Sequence, residues 1–268
     1  MVSRRIGIVM PVLIVVLSTA AATADRQPRA TPGGQAAKAS PRAERRVPFA
    51  VGEQLLYDVS WSNYVTAGTL ALRVESKKAS YASTAYYVTA EAQTTGVVAR
   101  LYTLYYKADT LIDAFTLLPQ RGSLYSRESR RERLKITTFD HSRKTALFEM
   151  KTASHMRKDL QLPPLTQDML SAIYVLRSIQ PRPGDRLEMP ISDSGWLYRV
   201  AFVVGAPESV QKADGSAVSA LRVTPRITDE AGKPVSSNTV LWLSHDAALK
   251  PVRMEAALTV GRIVMAMR

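Results

Sequence analysis

The sequence predicts an all-β class of fold, mainly β with one substantial helix: a strongly curved antiparallel sheet or open β-barrel, with the helix packed at the concave side or end. Three features of the sequence predict it. Apolar residues recur with a period of two from Val47 to the C-terminus, turn residues interrupt them at short intervals, and the rhythm breaks once, between Pro163 and Pro183. A dozen or so strands in one sheet tend to curl or split, which favours curvature over a flat layer.

In Leu55-Leu56-Tyr57-Asp58-Val59-Ser60-Trp61 the odd positions are apolar, the pattern of a strand with one buried face. The next run, Thr69 to Glu75, places Leu70, Leu72 and Val74 on one face, with Asn63 to Gly68 as the connecting turn. Further strands are expected over residues 85–93, 101–112, 117–127, 133–140 and 145–151. Pro163-Pro164 halts this meander, and residues 166–179 offer Leu170, Ile173, Tyr174 and Arg177 at helical spacing, with Thr166 or Asp168 as the cap. After Pro181 and Pro183, strands are expected over 186–191, 197–204, 209–213, 218–227, 239–244, 252–259 and 263–267. Asp193-Ser194-Gly195 and Asp214-Gly215 read as hairpin turns.

The chain of 268 residues carries 36 Lys and Arg against 23 Asp and Glu, a net charge of +13. Its first 24 residues have the three parts of a secretory signal: Arg4 and Arg5, an apolar run from Ile6 to Leu17, and small residues ending in Ala22-Thr23-Ala24. Cleavage after Ala24 and a periplasmic address are expected, with a retained anchor as the alternative. Residues 25–46 hold Pro, Ala, Gly and basic side chains without a large apolar one, which predicts a flexible tether. Leader and tether together hold six of the net positive charges, so residues 47–268, expected to form a single domain, keep +7. No later apolar stretch reaches the about 20 residues of a membrane span. With no cysteine, the chain has neither a disulfide nor a thiolate metal site.

Catalytic signatures are absent from the sequence. His141, His155 and His245 lack the spacing of a zinc site, and no metal or cofactor is expected. Ser244-His245-Asp246 contains the residue types of a hydrolase triad, but neighbours in a turn point apart and cannot form its relay. There is no G-x-S-x-G elbow and no phosphate-binding glycine loop. Glu53, Asp58, Asp109, Asp113 and Asp168 are carboxylates that the sequence cannot pair.

Two segments are candidates for binding. Tyr102, Tyr105 and Tyr106 form the densest aromatic stretch, either as core or as the lining of an apolar ligand site. Arg127, Arg130, Arg131, Arg133 and Lys135 make a basic hairpin tip. That tip reads as a solvated edge that blocks strand addition, or as a surface for an anionic glycolipid or cell-wall polymer. It lacks the interleaved aromatics of a nucleic-acid site, and no nucleic-acid partner is expected.

A set of landmarks runs through the domain: Gly52-Glu53, Tyr57, Trp61, Ala67-Gly68, Gln167-Asp168-x-x-Ser171-Ala172-x-Tyr174-x-Leu176-Arg177, Pro183-Gly184-Asp185, Leu241-Trp242-Leu243-Ser244 and Pro251-Val252-Arg253. In order and spacing these resemble the domain-of-unknown-function 3108 family of exported bacterial proteins, over nearly all of residues 47–268. The resemblance implies a β-rich fold and an envelope address, and no catalytic residue, substrate or cofactor.

Read physically, Asp168 suits the start of a helix dipole, while Tyr174 and Arg177 share one helix face. Arg177 calls for a buried acid, and Glu53 is the candidate. The expected function is a non-catalytic binding module for a lipid or other apolar envelope molecule. An envelope scaffold or assembly factor touching cell-wall or outer-membrane partners is the alternative, and a hydrolase comes last. Oligomeric state has no sequence signal.

Overall fold

The computed structural model describes residues 43–61, 65–151, 155–235, 238–257 and 261–268. The predicted leader and residues 25–42 of the predicted tether lie outside these residues. Alternation works as read in β1 (Gln54–Trp61), which buries Leu55, Tyr57 and Val59. This strand sits between β2 (Val65–Ser80) and the last strand, β16 (Arg262–Met267), and both pairings are antiparallel, with Tyr57 opposite Leu70 and Met267.

From β2 the chain meanders outward through β3 (Ser83–Thr94), β4 (Leu104–Asp113), β5 (Pro119–Glu128), β6 (Arg131–Asp140) and β7 (Thr145–Lys151) to the edge strand β8 (Met156–Gln161). On the other side of β16 the order runs β15 (Pro251–Ala257), β14 (Thr239–Ser244), β12 (Ala217–Asp229), β11 (Trp196–Gln211), β10 (Arg186–Asp193) and β9 (Gln167–Asp168). The short β13 (Pro234–Val235) pairs with β12. The sheet has sixteen strands and, among the described residues, does not close: β8 and β9 are its edges. The chain thus returns at its C-terminus to pair with its first strand, joining the strand series before and after the helix into one sheet.

Several elements depart from the sequence reading. Gly68 lies inside β2 rather than in a turn. A Cβ there would stand 2.2 Å from Gln93 O, so this glycine serves a close strand approach. The β2–β3 hairpin extends to Ser80 and Ser83, where Tyr81 and Ala82 take φ of 46° and 60° without a glycine to announce the turn. Lys77 and Lys78 lie over the rings of Tyr86 and Tyr87 along this polar extension. Residues 101–112 are not one strand, because a short helix α1 (Gly96–Leu101) precedes β4. The predicted strands 197–204 and 209–213 are one strand, β11, bent by a register shift between Val204 and Pro207. The edge strand β8 escapes the period-two reading because Arg157, Lys158 and Asp159 make it polar, a common way of protecting an edge. Ala43–Arg46 of the predicted tether lie against the domain. Arg45 N–H donates to Ala114 O at 2.9 Å and Glu44 pairs with Lys77, contacts that low hydrophobicity does not reveal.

The second helix, α2 (Met169–Ser178), packs against β3, β4, β9 and β10 on the inside of the curl. Asp168 is its cap, accepting from the N–H groups of Leu170 and Ser171, and Ser171 Oγ accepts from Asp168 N–H to complete a capping box. Thr166, the other candidate, donates instead to Pro163 O. Leu170 and Tyr174 join the main core with Phe49, Tyr57, Leu72 and Val88. Tyr57 donates to Pro251 O across 194 residues, Trp61 packs on this core, and Trp242 donates to Glu208 on the outer face.

Arg177 is fully buried and meets Glu53 as expected, through two bonds of 2.7 and 2.8 Å. Two further donors reach Ala248 O at 3.1 Å and Pro48 O at 3.3 Å, and the rings of Phe49 and Tyr174 flank the guanidinium. Removing one partner leaves an uncompensated buried charge. Arg177→Ala should therefore lower unfolding stability by roughly 3–5 kcal/mol, read from urea denaturation; a loss below about 1 kcal/mol, the surface-pair range, would show that the pair carries no structural weight.

Candidate functional site

Two rows of inward-facing residues cross the curled half of the sheet, and each has a distinct role. One row runs Leu55, Leu72, Ala90, Ala108, Leu124, Lys135 and Met150, each opposite the next on the neighbouring strand. The second runs Val74, Val88, Thr110, Gly122, Thr137, Phe148 and Lys158.

The second row docks the far end of the sheet. Thr110 Oγ1 donates to Asp168 Oδ2 at 2.6 Å beside Gly122, where an added Cβ would stand 3.0 Å from the same oxygen. Further along, the β10–β11 turn rests on Phe148, whose ring lies 2.7 Å from where a Cβ of Gly195 would be. Lys158 Nζ donates to Gly195 O and sits 3.7 Å from the centre of the Trp196 ring. Ser194 and Gly195 both have positive φ, as a two-residue hairpin turn of this twist requires. The hairpin tip is thereby wedged into the concave face of β5–β8.

The first row forms the floor of a cavity beneath α2. Ala90 and Ala108 face each other where larger aliphatic residues stand at Leu72 and Leu124, and the missing side-chain volume is left open. The cavity measures about 160 Å³ and is roofed by Met169, Leu170 and Ile173 of α2. A second lobe of about 110 Å³ lies between α2 and β10–β12, lined by Ile191, Val200, Phe202 and Ile227. Met169, Ile173, Leu241, Met254 and Asp193 border both lobes.

One wall of this apolar space is polar. Lys135 Nζ donates to Ser194 Oγ at 2.8 Å, and Ser194 Oγ donates to Asp193 Oδ1 at 3.1 Å. Burial lowers the pKa of Lys135, with Asp193 opposing the shift. Burial likewise raises Asp193, against the pull of Lys135, and the charge of Asp168 adds to the rise. Asp168 is itself raised by burial, opposed by hydrogen bonds from Ser171, Thr110 and Leu170. Ser192 Oγ, in the strand beside this wall, is buried and has no hydrogen-bond partner among the described residues.

The predicted site residues are distributed differently from the sequence reading. Tyr106 lines the cavity and bonds Glu128. Tyr105, one residue away, points to the other face and bonds Glu91, and Tyr102 packs against the main core beyond α1. The basic run does form a hairpin tip, but strand alternation divides it. Arg127 lies over Tyr105 on the outer face, Arg130 and Arg131 are exposed, Arg133 pairs with Glu128 at 3.6 Å, and Lys135 enters the cavity. Ser244 donates directly to Asp246 at 2.8 Å while His245 is exposed, so these three form a turn and no relay. Among the described residues, no group of three or more His, Asp or Glu is placed to hold a metal ion, and no helix is long and apolar enough to cross a membrane.

A large open sheet that curls about a helix and leaves an apolar cavity beside it places the molecule among β-barrel-like proteins. It is similar in fold to a β-barrel-like protein of domain of unknown function 1849 from Brucella abortus, with a TM-score of 0.53 and 11% identity over 80% of this chain and 94% of that one. A Bacteroides fragilis protein with a YmcC-like fold aligns over 84% of this chain and 98% of its own at 13% identity, but with a TM-score of 0.30, too low to carry an argument. Comparison with curated proteins finds no significant match. Residues 56–268 match the family described as protein of unknown function DUF3108, and the chain belongs to that family.

The polar wall should respond to pH. A carboxyl whose pKa is higher in the folded than in the unfolded chain holds its proton more tightly when folded. That contribution to stability is present below the unfolded pKa and is lost as pH rises through the folded one. Asp193→Asn cannot ionise, so its stability should gain on wild type as pH rises from about 4, near the unfolded aspartate value, into the neutral range. Urea midpoints for the two proteins across that range would measure it; a difference independent of pH would mean that Asp193 titrates as an ordinary surface carboxyl.

Proposed function

We propose that this protein is exported to the bacterial envelope and acts there as a non-catalytic binding module for one small apolar or amphiphilic molecule, held between α2 and the sheet. The carrying observation is the two-lobed apolar cavity with its single polar wall, the usual composition of a ligand site. A dry cavity of about 150 Å³ lined by aliphatic and aromatic side chains suffices to take up a benzene ring. Lobes of about 160 and 110 Å³ suit one short acyl chain or ring system, and are small for a two-chain lipid. Export rests on the leader-like residues 1–24, with their basic start, apolar run and small-residue end.

Native mass spectrometry of the protein expressed with its own leader is the direct test. The mature mass after cleavage at Ala24 should carry a retained amphiphile of single-chain size. Ala108→Phe, which projects a ring into the cavity floor, should lose at least about tenfold in affinity while the fold persists, because overpacking costs about 1–3 kcal/mol and a ring occupies the ligand's place. Protein that emerges bare and takes up no single-chain amphiphile would exclude the reading.

A further inference from the structure

The head-group chemistry of a ligand can be read from the polar wall. Among the described residues, Lys135 makes one hydrogen bond, to Ser194, leaving ammonium donors for a ligand. Asp193 uses Oδ1 for Ser194 and retains acceptor capacity at Oδ2. The wall therefore offers both donors and acceptors within a short stretch.

Its charge is unfavourable to anions. Lys135 and Arg253 line the cavity together with three carboxylates, Asp109, Asp168 and Asp193, and Lys135 interacts with Asp193. The arginines nearby are already paired: Arg133 with Glu128 at 3.6 Å, Arg121 with Asp109 at 3.7 Å, and Arg253 with Glu255 at 2.8 Å. An incoming carboxylate or phosphate would add like charge to a buried wall whose cations are already compensated, in surroundings where such charges interact strongly.

We infer that the cavity selects an amphiphile with an uncharged polar end bearing both a donor and an acceptor, a hydroxyl or primary amide, and discriminates against carboxylate and phosphate heads. This rests on the apolar-binding function proposed above and adds its specificity. It runs against the net positive charge of the chain, which by itself would suggest an anionic partner.

Calorimetric titration of the delipidated mature protein with 1-monodecanoylglycerol, decanoate and decyl phosphate, near pH 7.5, separates the two propositions. The glyceride should bind at least about tenfold tighter than either anion, about 1.4 kcal/mol. Asp193→Asn should narrow that gap by strengthening decanoate. Decanoate binding as tightly as the glyceride would overturn the head-group inference and leave apolar binding intact; an unchanged gap in Asp193→Asn would overturn it too. Absence of binding by all three would overturn both. Should that variant fail to fold, the three wild-type affinities still decide the question.

Discussion

The buried pair of Arg177 and Glu53 is the constraint on which the rest of the architecture depends. A guanidinium removed from water is tolerable only when nearly every donor is used. Here the partners come from far apart: Pro48 and Glu53 before and at the start of the sheet, and Ala248 in the loop between β14 and β15. Satisfying the arginine therefore places the C-terminal end of α2 beside both the first and the last strands. The flanking rings of Phe49 and Tyr174 exclude water from the pair, and Phe49 also packs edge-on against Tyr86 at 5.3 Å, tying the helix end to β3.

With one end of α2 held there, the other end is held by its cap. Asp168 is at once the last residue of β9, the acceptor for two helix N–H groups, and the acceptor for Thr110 on β4. The helix is thus suspended between two polar anchors, and its first half, Met169 to Ile173, roofs the cavity while Leu170 and Tyr174 pack into the core. Packed interiors close over most voids. This one persists because the anchors fix the height of the helix while Ala90 and Ala108 lower the floor beneath it.

The open sheet has a related explanation. Sixteen twisted strands curl far enough for the β10–β11 tip to reach the face of β5–β8. Contact is made through side chains and a turn carbonyl, with no ladder between β8 and β9. Charged residues on β8 favour that outcome, since they make the edge a poor template for pairing while Lys158 secures the turn.

Much of this was legible in the sequence. Period-two alternation located nearly every strand, the proline-bounded 3.6-residue rhythm located α2, and the isolated polar residues Glu53 and Arg177 in apolar segments identified each other. These signals are local, or follow from the rule that a buried charge needs a partner. Of the tyrosine cluster, Tyr105 and Tyr106 fall on opposite faces, and only Tyr106 both joins the core and lines the cavity. Alternation likewise divides the basic run, sending Lys135 inward and Arg127 outward while Arg130 and Arg131 stay exposed. The small residues Ala90 and Ala108 were the available signal for open space, yet an alanine on a strand shows a gap only once the element opposite it is known.

The sequence by itself determined the element types, the helix position and the need for a buried ion pair, because periodicity and the cost of an unpaired charge act on each segment directly. Only the tertiary structure decided that β16 returns to β1, that Asp193 and Ser194 of one hairpin meet Lys135 of another, and that a cavity remains between them. Those outcomes depend on strand register and on the curl accumulated over many strands, which no single stretch of sequence contains.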